Sequence, residues 1–193
     1  MKEIEVKILG VHPPAVRKKL KMIGAPMFFK GSVRAVYFDT PSCELAKAGK
    51  ELRVRTAGDR VELCVKSNKR LSRFKIADEI EVLTSSFDVT ISLLNLLGFV
   101  KQKETVRVRE CYSLGSVKFD LDLYKHIPPY IEVEGKTEKD VVDGVCMLGY
   151  TMAQTTNMTS HEVEDYYKNK DNTSSAVFAI HPKPSKKHKV RHD

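Results

Sequence analysis

The sequence predicts an α+β domain: a closed eight-stranded antiparallel β-barrel forming a tunnel with a charged interior, covered outside by helices. Three observations predict it. About eight segments alternate residue character with period two, the signature of strands. All but the second of them carry charge on one face and aliphatic side chains on the other. The helical segments between them show one apolar stripe each, enough to cover one side of a sheet.

The elements follow in order. In Glu3-Ile4-Glu5-Val6-Lys7-Ile8 the odd positions are charged and the even ones aliphatic. Pro13-Pro14 opens a helix that runs to Ile23, with Val16, Leu20 and Ile23 on one face and Gly24 as its stop. Val33 to Thr40 is strand-like. Glu51 to Thr56 sets Arg53 and Arg55 on one side. Gly58-Asp59 turns the chain into Val61 to Lys66, where Glu62, Cys64 and Lys66 oppose Val61, Leu63 and Val65. Lys66 to Lys75 (KSNKRLSRFK) reads as a basic loop at a tunnel lip. Lys75 to Val82 groups Lys75, Glu79 and Glu81. Ser86 to Leu97 is a helix with Phe87, Ile91 and Leu94 at helical spacing and Gly98 after it. Val106 to Tyr112 aligns Arg107 and Arg109. Val117 to Leu123 aligns Lys118, Asp120 and Asp122, and Tyr130 to Glu134 aligns Glu132 and Glu134. Thr137 to Leu148 is a helix stopped by Gly149. Thr159-x-x-Glu162 is a capping box opening a last helix over Val163, Tyr166 and Tyr167. A diverged repeat runs through this: a strand with paired glutamates, then a helix ending in Ile/Leu-Gly.

Composition narrows the class. The chain has 193 residues, 41% hydrophobic and 30% charged, which suits one core and excludes a collagenous or low-complexity chain. Residues 1–170 are read as the domain and 171–193 as a basic, disordered tail. The net charge of +8 divides into +3 in that tail and +5 in the body, where 28 Lys/Arg face 23 Asp/Glu. The basic run Lys183 to Arg191 suits nucleic acid, acidic lipid or an import receptor, or is simply solvated. The four cysteines are widely spaced with no CxxC pair, against a zinc site and consistent with reduced thiols. No P-loop, GxGxxG or nucleophile elbow is present. No apolar run reaches membrane-spanning length, and MKEIEVKILG has charges where a secretory signal is apolar. A cytoplasmic location is expected, with nuclear import left open by the tail.

Closing the sheet turns the charged faces inward. Unpaired charges would be costly there, so a wet tunnel with bound ions is expected. Clustered carboxylates recruit hard divalent cations, Mg2+ or Mn2+. Arginines match phosphate oxygens bidentately. Together the two sets suit a metal-chelated polyphosphate, and they exclude DNA from the interior.

Glu3-x-Glu5-x-Lys7 resembles the ExExK signature of the CYTH domain, the triphosphate tunnel metalloenzyme fold. Tyr37-Phe38-Asp39-Thr40, Gly49-Lys50-Glu51-Leu52-Arg53-Val54-Arg55, Lys66, Arg107-x-Arg109-x-x-Tyr112, Leu121-Asp122 and Glu132-x-Glu134 match that family in order over about residues 1–168. Arg107 stands where the family usually has Lys. The resemblance implies metal binding by Glu3, Glu5, Glu132 and Glu134 with Asp122 assisting, and possible additional roles for Glu79 and Glu81. It implies triphosphate binding by Lys7, Arg53, Arg55, Lys66, Arg107 and Arg109, with Glu3, Glu5 and Lys7 at the catalytic centre.

The function implied is cleavage of a phosphoanhydride bond in a triphosphate such as ATP, tripolyphosphate or thiamine triphosphate. The compact domain looks closest to class IV adenylyl cyclases, which form cyclic AMP and pyrophosphate. The alternatives are a triphosphatase, acting on those compounds or on RNA 5′-triphosphate, and a non-catalytic polyphosphate-binding module. Nucleic acid is expected only at the basic loop or tail. No feature specifies an oligomeric state.

Overall fold

The computed structural model describes residues 2–178, with backbone alone at 68–71 and 171–178. Eight strands form the barrel: β1 (Lys2–Leu9), β2 (Met27–Asp39), β3 (Glu51–Ala57), β4 (Arg60–Leu71), β5 (Lys75–Thr84), β6 (Val100–Leu114), β7 (Val117–Leu123) and β8 (Tyr130–Gly135). The helices are α1 (Pro13–Met22), α2 (Glu44–Lys47), α3 (Phe87–Leu96), α4 (Glu138–Met147) and α5 (Ser160–Phe178). The barrel order is β1-β5-β4-β3-β2-β6-β7-β8, and every pairing is antiparallel. β1 closes it, with Glu5 opposite Lys75 on one edge and Glu134 on the other.

Two apolar clusters lie outside the barrel wall. One joins Ile4, Val6 and Ile8 of β1 and Phe119, Leu121, Ile131 and Val133 of β7 and β8 to Val16 and Leu20 of α1 and Val141 and Val145 of α4. The other joins Val36, Phe38, Leu52 and Val54 to Leu94 of α3, with Phe87 and Ile91 packed against it. The strands' apolar positions therefore meet the helices. Helix α4 sits close: a side chain added at Gly144 would come within 2.7 Å of Val117 and 2.8 Å of Val133. Only hydrogen fits there.

The local signals act as expected. Ser86 accepts a hydrogen bond from the Val89 N–H at 3.4 Å, and Thr137 with Asp140 forms a capping box at α4. The predicted stops Gly24, Gly98 and Gly149 all have positive φ (75°, 88° and 86°). On the outer wall, Glu110 accepts from Arg17 Nε (2.9 Å) and the Tyr112 hydroxyl (2.9 Å), with Lys30 Nζ 3.0 Å away. The Arg17 hydrogen bonds, assisted by Lys30 and Tyr112, outweigh burial and hold this carboxyl at about 2. The contact ties α1 to β6.

Three strands outrun the alternation. β2 starts at Met27, β4 continues to Leu71 and β6 starts at Val100. In Lys101-Gln102-Lys103-Glu104-Thr105 both faces are polar, so no alternation marks a strand, yet Lys101 and Lys103 pair with Phe38 and Tyr37 of β2. The segment read as a basic loop is largely hairpin: β4 pairs with β5 as far as Leu71 opposite Lys75, with a register shift between Ser67 and Arg70. α2 is one turn, too short for periodicity. Asp39 holds it, accepting from the backbone N–H groups of Leu45 and Ala46, both at 2.9 Å.

The chain divides into two compact units at Met158 and Thr159. The first contains the barrel and α1 to α4. The second contains α5, whose first turn is capped by Thr159 and Glu162 (Glu162 N–H to Thr159 Oγ1, 3.2 Å). The tail expected from residue 171 overlaps α5 up to Phe178, and its remainder, with the Lys183–Arg191 run, lies outside the described residues. Among the described residues, no helix is long and apolar enough to cross a membrane.

Candidate functional site

Ion pairs show which strand faces look inward. Lys66 of β4 pairs with Glu3 of β1, although β5 lies between those strands. Arg109 of β6 reaches Glu132 of β8 past β7, at 2.6 Å. Bridges between non-neighbouring strands run through the tunnel. The predicted site residues Glu3, Glu5, Lys7, Arg53, Arg55, Lys66, Glu79, Glu81, Arg107, Arg109, Asp122, Glu132 and Glu134 all occupy inward positions of this pattern.

The β1–β8 wall is mainly carboxylate. Lys7, fully buried, lies 2.6 Å from Glu5 and 3.0 Å from Glu132, and Lys75 lies 2.9 Å from Glu5. Burial alone would raise the Glu5 carboxyl, but the ammonium groups of Lys7 and Lys75 override it and hold the group at about 2. Burial would likewise raise Glu132, yet Lys7 and Arg109 keep it well below the usual range. Burial opposes charge on Lys7 too, and Glu132 and Glu5 more than offset it.

Arg109 is the hub. Its guanidinium donates to Asp122 through Nε and Nη2, to Asp120 through Nη1 and to Glu132 through Nη2, each at 2.6 Å. Asp122 is wholly enclosed and also accepts from Arg107 Nε at 2.9 Å. Toward β4 and β5, Lys66 pairs with Glu3 and lies 3.2 Å from Glu79, while Arg55 pairs with Glu62 and lies 3.7 Å from Glu81. Glu79, which burial would raise, is held at about 2 by Lys66, by a hydrogen bond from Cys64 and by Arg53.

Two carboxyls behave oppositely. Burial pushes Glu3 up to about 7, with Glu5, Glu79 and Glu134 adding repulsion that Lys66 does not cancel. Burial also raises Glu134, against Lys118 at 3.1 Å and with help from Asp120 and Glu5. Glu3 has a folded pKa above its unfolded value, so the folded state binds the extra proton between them. Its contribution to stability is therefore present below about 4.5 and is lost as pH rises through about 7. Thermal melts of the ligand-free protein from pH 5.5 to 8 are expected to show this fall, and Glu3→Gln to flatten it. An unchanged slope in Glu3→Gln would place the titration elsewhere.

Among the described residues, no three carboxylate, imidazole or thiol groups converge as a ready cation cage. The acidic side chains close instead on lysine and arginine. Their all-oxygen donors, and the burial and added carboxylate repulsion that raise Glu3 and Glu134, are the chemistry that suits a hard divalent cation.

The opposite wall differs. β2, four strands round from β1, turns Gly31, Val33, Ala35 and Tyr37 inward, and none of these four carries a charge. Lys75 and Asp120 also belong to the interior network, although the family motifs assign them no role. The same alternation places them there. Thr105 shares the inward face of Arg107 but was masked by the polar run before it.

A family model described as the CYTH domain matches residues 1–146. Similar solved structures include the PH1012 protein from Pyrococcus horikoshii OT3, 25% identical, with a TM-score of 0.71 over 83% of this chain and 98% of that one. A protein from Vibrio parahaemolyticus described as a candidate adenylate cyclase is 17% identical, with a TM-score of 0.76 over 84% of this chain and 97% of its own. A Hippeastrum protein, named a candidate adenylyl cyclase and credited with a dominant triphosphatase activity, is 22% identical, with a TM-score of 0.63 over 83% of this chain and 94% of its own. No curated protein matches.

Proposed function

We propose that this chain, which belongs to the CYTH domain family, binds a triphosphate compound in its tunnel and cleaves a phosphoanhydride bond with the help of a divalent cation. One observation carries the reading: a single closed interior holds a carboxylate wall on β1 and β8 and arginines on β3 and β6, bridged by lysines. Neither set alone would suit a metal-chelated triphosphate. The basic groups Lys7, Arg53, Arg55, Lys66, Arg107 and Arg109 hold the phosphate oxygens and balance the charge that develops on the leaving group. Asp122 accepts from two guanidinium groups and so orients Arg107 and Arg109. Glu3, Glu5, Glu132 and Glu134 are the residues to hold Mg2+ or Mn2+, with Glu79 and Glu81 as further candidates. The cation would supply Lewis acidity at the phosphoryl oxygens.

Burial raises Glu3 to about 7 in the metal-free tunnel, so a cation held by this carboxylate would displace its proton. In the first reading, the ribose 3′-hydroxyl of ATP gives its proton to water and attacks the α-phosphorus. The bond to the β-phosphate oxygen breaks, and cyclic AMP and pyrophosphate form. In the second reading, water attacks the terminal phosphorus, the bond from that phosphorus to its bridging oxygen breaks, the diphosphate leaves, and orthophosphate forms. The same residues serve both. Incubation with ATP, tripolyphosphate and thiamine triphosphate, each with Mg2+ and with Mn2+, separates them by product. No turnover of any compound, with calorimetric binding retained, would favour a non-catalytic polyphosphate-binding module instead.

A further inference from the structure

Most buried polar groups of the tunnel are paired with one another. Among the described residues, three buried side-chain atoms have no hydrogen-bond partner: Arg53 Nε, Thr105 Oγ1 and Asp120 Oδ1. All three lie on inward positions of the barrel. Two of them flank the uncharged wall. Arg53 of β3 stands opposite Tyr37 of β2, and Thr105 of β6 stands opposite Ala35, two residues back on the same face. Between them β2 presents the Tyr37 side chain beside Arg53 and the methyl of Ala35 beside Thr105. Arg53 is also loosely held, its guanidinium lying 3.6 Å from Glu79. Thr105 is more than nine-tenths buried, and a buried hydroxyl without a partner is destabilising unless something in the working protein satisfies it.

We propose that Thr105 is a ligand-contacting residue: its hydroxyl donates to a phosphoryl oxygen of the bound triphosphate, on the β2 side of the tunnel and beside Arg53. The assignment deepens the triphosphate reading and rests on it. The chemistry selects the ligand. The neighbouring inward groups are Arg53 and Arg55 on one side and Lys103 and Arg107 on the other, so an anion is favoured there. A hydroxyl adds a directed donor without further positive charge. An oxygen bound at this point meets the unpartnered Thr105 hydroxyl and Arg53 Nε, whereas one bound at Arg109 must displace carboxylates already hydrogen-bonded to it.

Thr105→Val keeps the shape of the side chain and removes the hydroxyl. Without ligand, the variant is expected to melt at the wild-type temperature or above it, because no protein hydrogen bond is lost. Calorimetric titration with tripolyphosphate alone should show affinity reduced about 10-fold, with Thr105→Ser within about twofold of wild type. Wild-type affinity in Thr105→Val would overturn the assignment. So would a clear loss of stability in the ligand-free variant, since the hydroxyl would then have a protein partner. If the wild-type protein itself fails to bind tripolyphosphate both alone and with Mg2+, the triphosphate reading falls and takes this assignment with it.

Discussion

Arg109→Met should lower the melting temperature by about 10–15 °C at pH 7, the largest stability effect expected of any single tunnel substitution. The substitution removes four hydrogen bonds at once. It leaves Asp122, which has no exposed surface, beside Asp120 and Glu132 with only Arg107 to compensate. Breaking a buried ion pair by deleting one partner costs about 3–5 kcal/mol, because the other charge stays behind. That is a large part of the roughly 5–15 kcal/mol by which folded domains are stable. The loss comes from stranded charge rather than lost packing, so Arg109→Met/Asp122→Asn should recover part of it. A melting temperature within about 2 °C of wild type for Arg109→Met would show that the network contributes little to the ligand-free fold.

Glu134→Ala is expected to do the reverse: turnover falls about 100-fold or more while the fold persists. Glu134 is held by one ammonium, Lys118, which is itself half-exposed. Removing it strands no buried cation and relieves repulsion on Glu5 and Asp120. Its loss should therefore be felt at the cation and not in the melt. Glu5 makes the comparison clear. Glu5→Ala would leave the buried ammonium groups of Lys7 and Lys75 without their shared carboxylate, and so confound activity with stability. Turnover of Glu134→Ala is to be measured with saturating Mg2+ or Mn2+ alongside its melting curve. Wild-type turnover would remove Glu134 from the proposed metal set.

The two substitutions differ for a reason that sequence alone does not carry. Alternation places Arg109 and Glu134 on inward faces equally well, because period two is read one strand at a time. What separates them is the closed order of the strands, which sets Arg109 against Asp122 and reaches Glu132 beyond it. That order depends on long-range pairing. Strands with clean alternation were legible to their ends, as in Val117–Leu123. β6 was legible only from Val106, because Lys101 to Thr105 is polar on both faces, and Thr105 was lost with it. Helix stops were legible at each glycine because they depend on local backbone geometry. α2 was not, because one turn held by Asp39 has no period to detect.

The closure of the barrel at β1 has a kinetic consequence. The hairpins from β3 to β5 and from β6 to β8 join strands that are adjacent in sequence, so they can form early. β1 has no such neighbour. Its two partners begin at Lys75 and Tyr130, and both of its edges must wait for distant segments to come together. Closing loops of that length costs entropy before any contact repays it, and non-local pairing slows folding. Until β1 docks, β5 and β8 each present an open edge, and Glu5 is not yet there to pair with Lys75. Refolding should therefore be slow in its last phase, and the Glu3-x-Glu5-x-Lys7 strand should be the last to gain protection from hydrogen exchange.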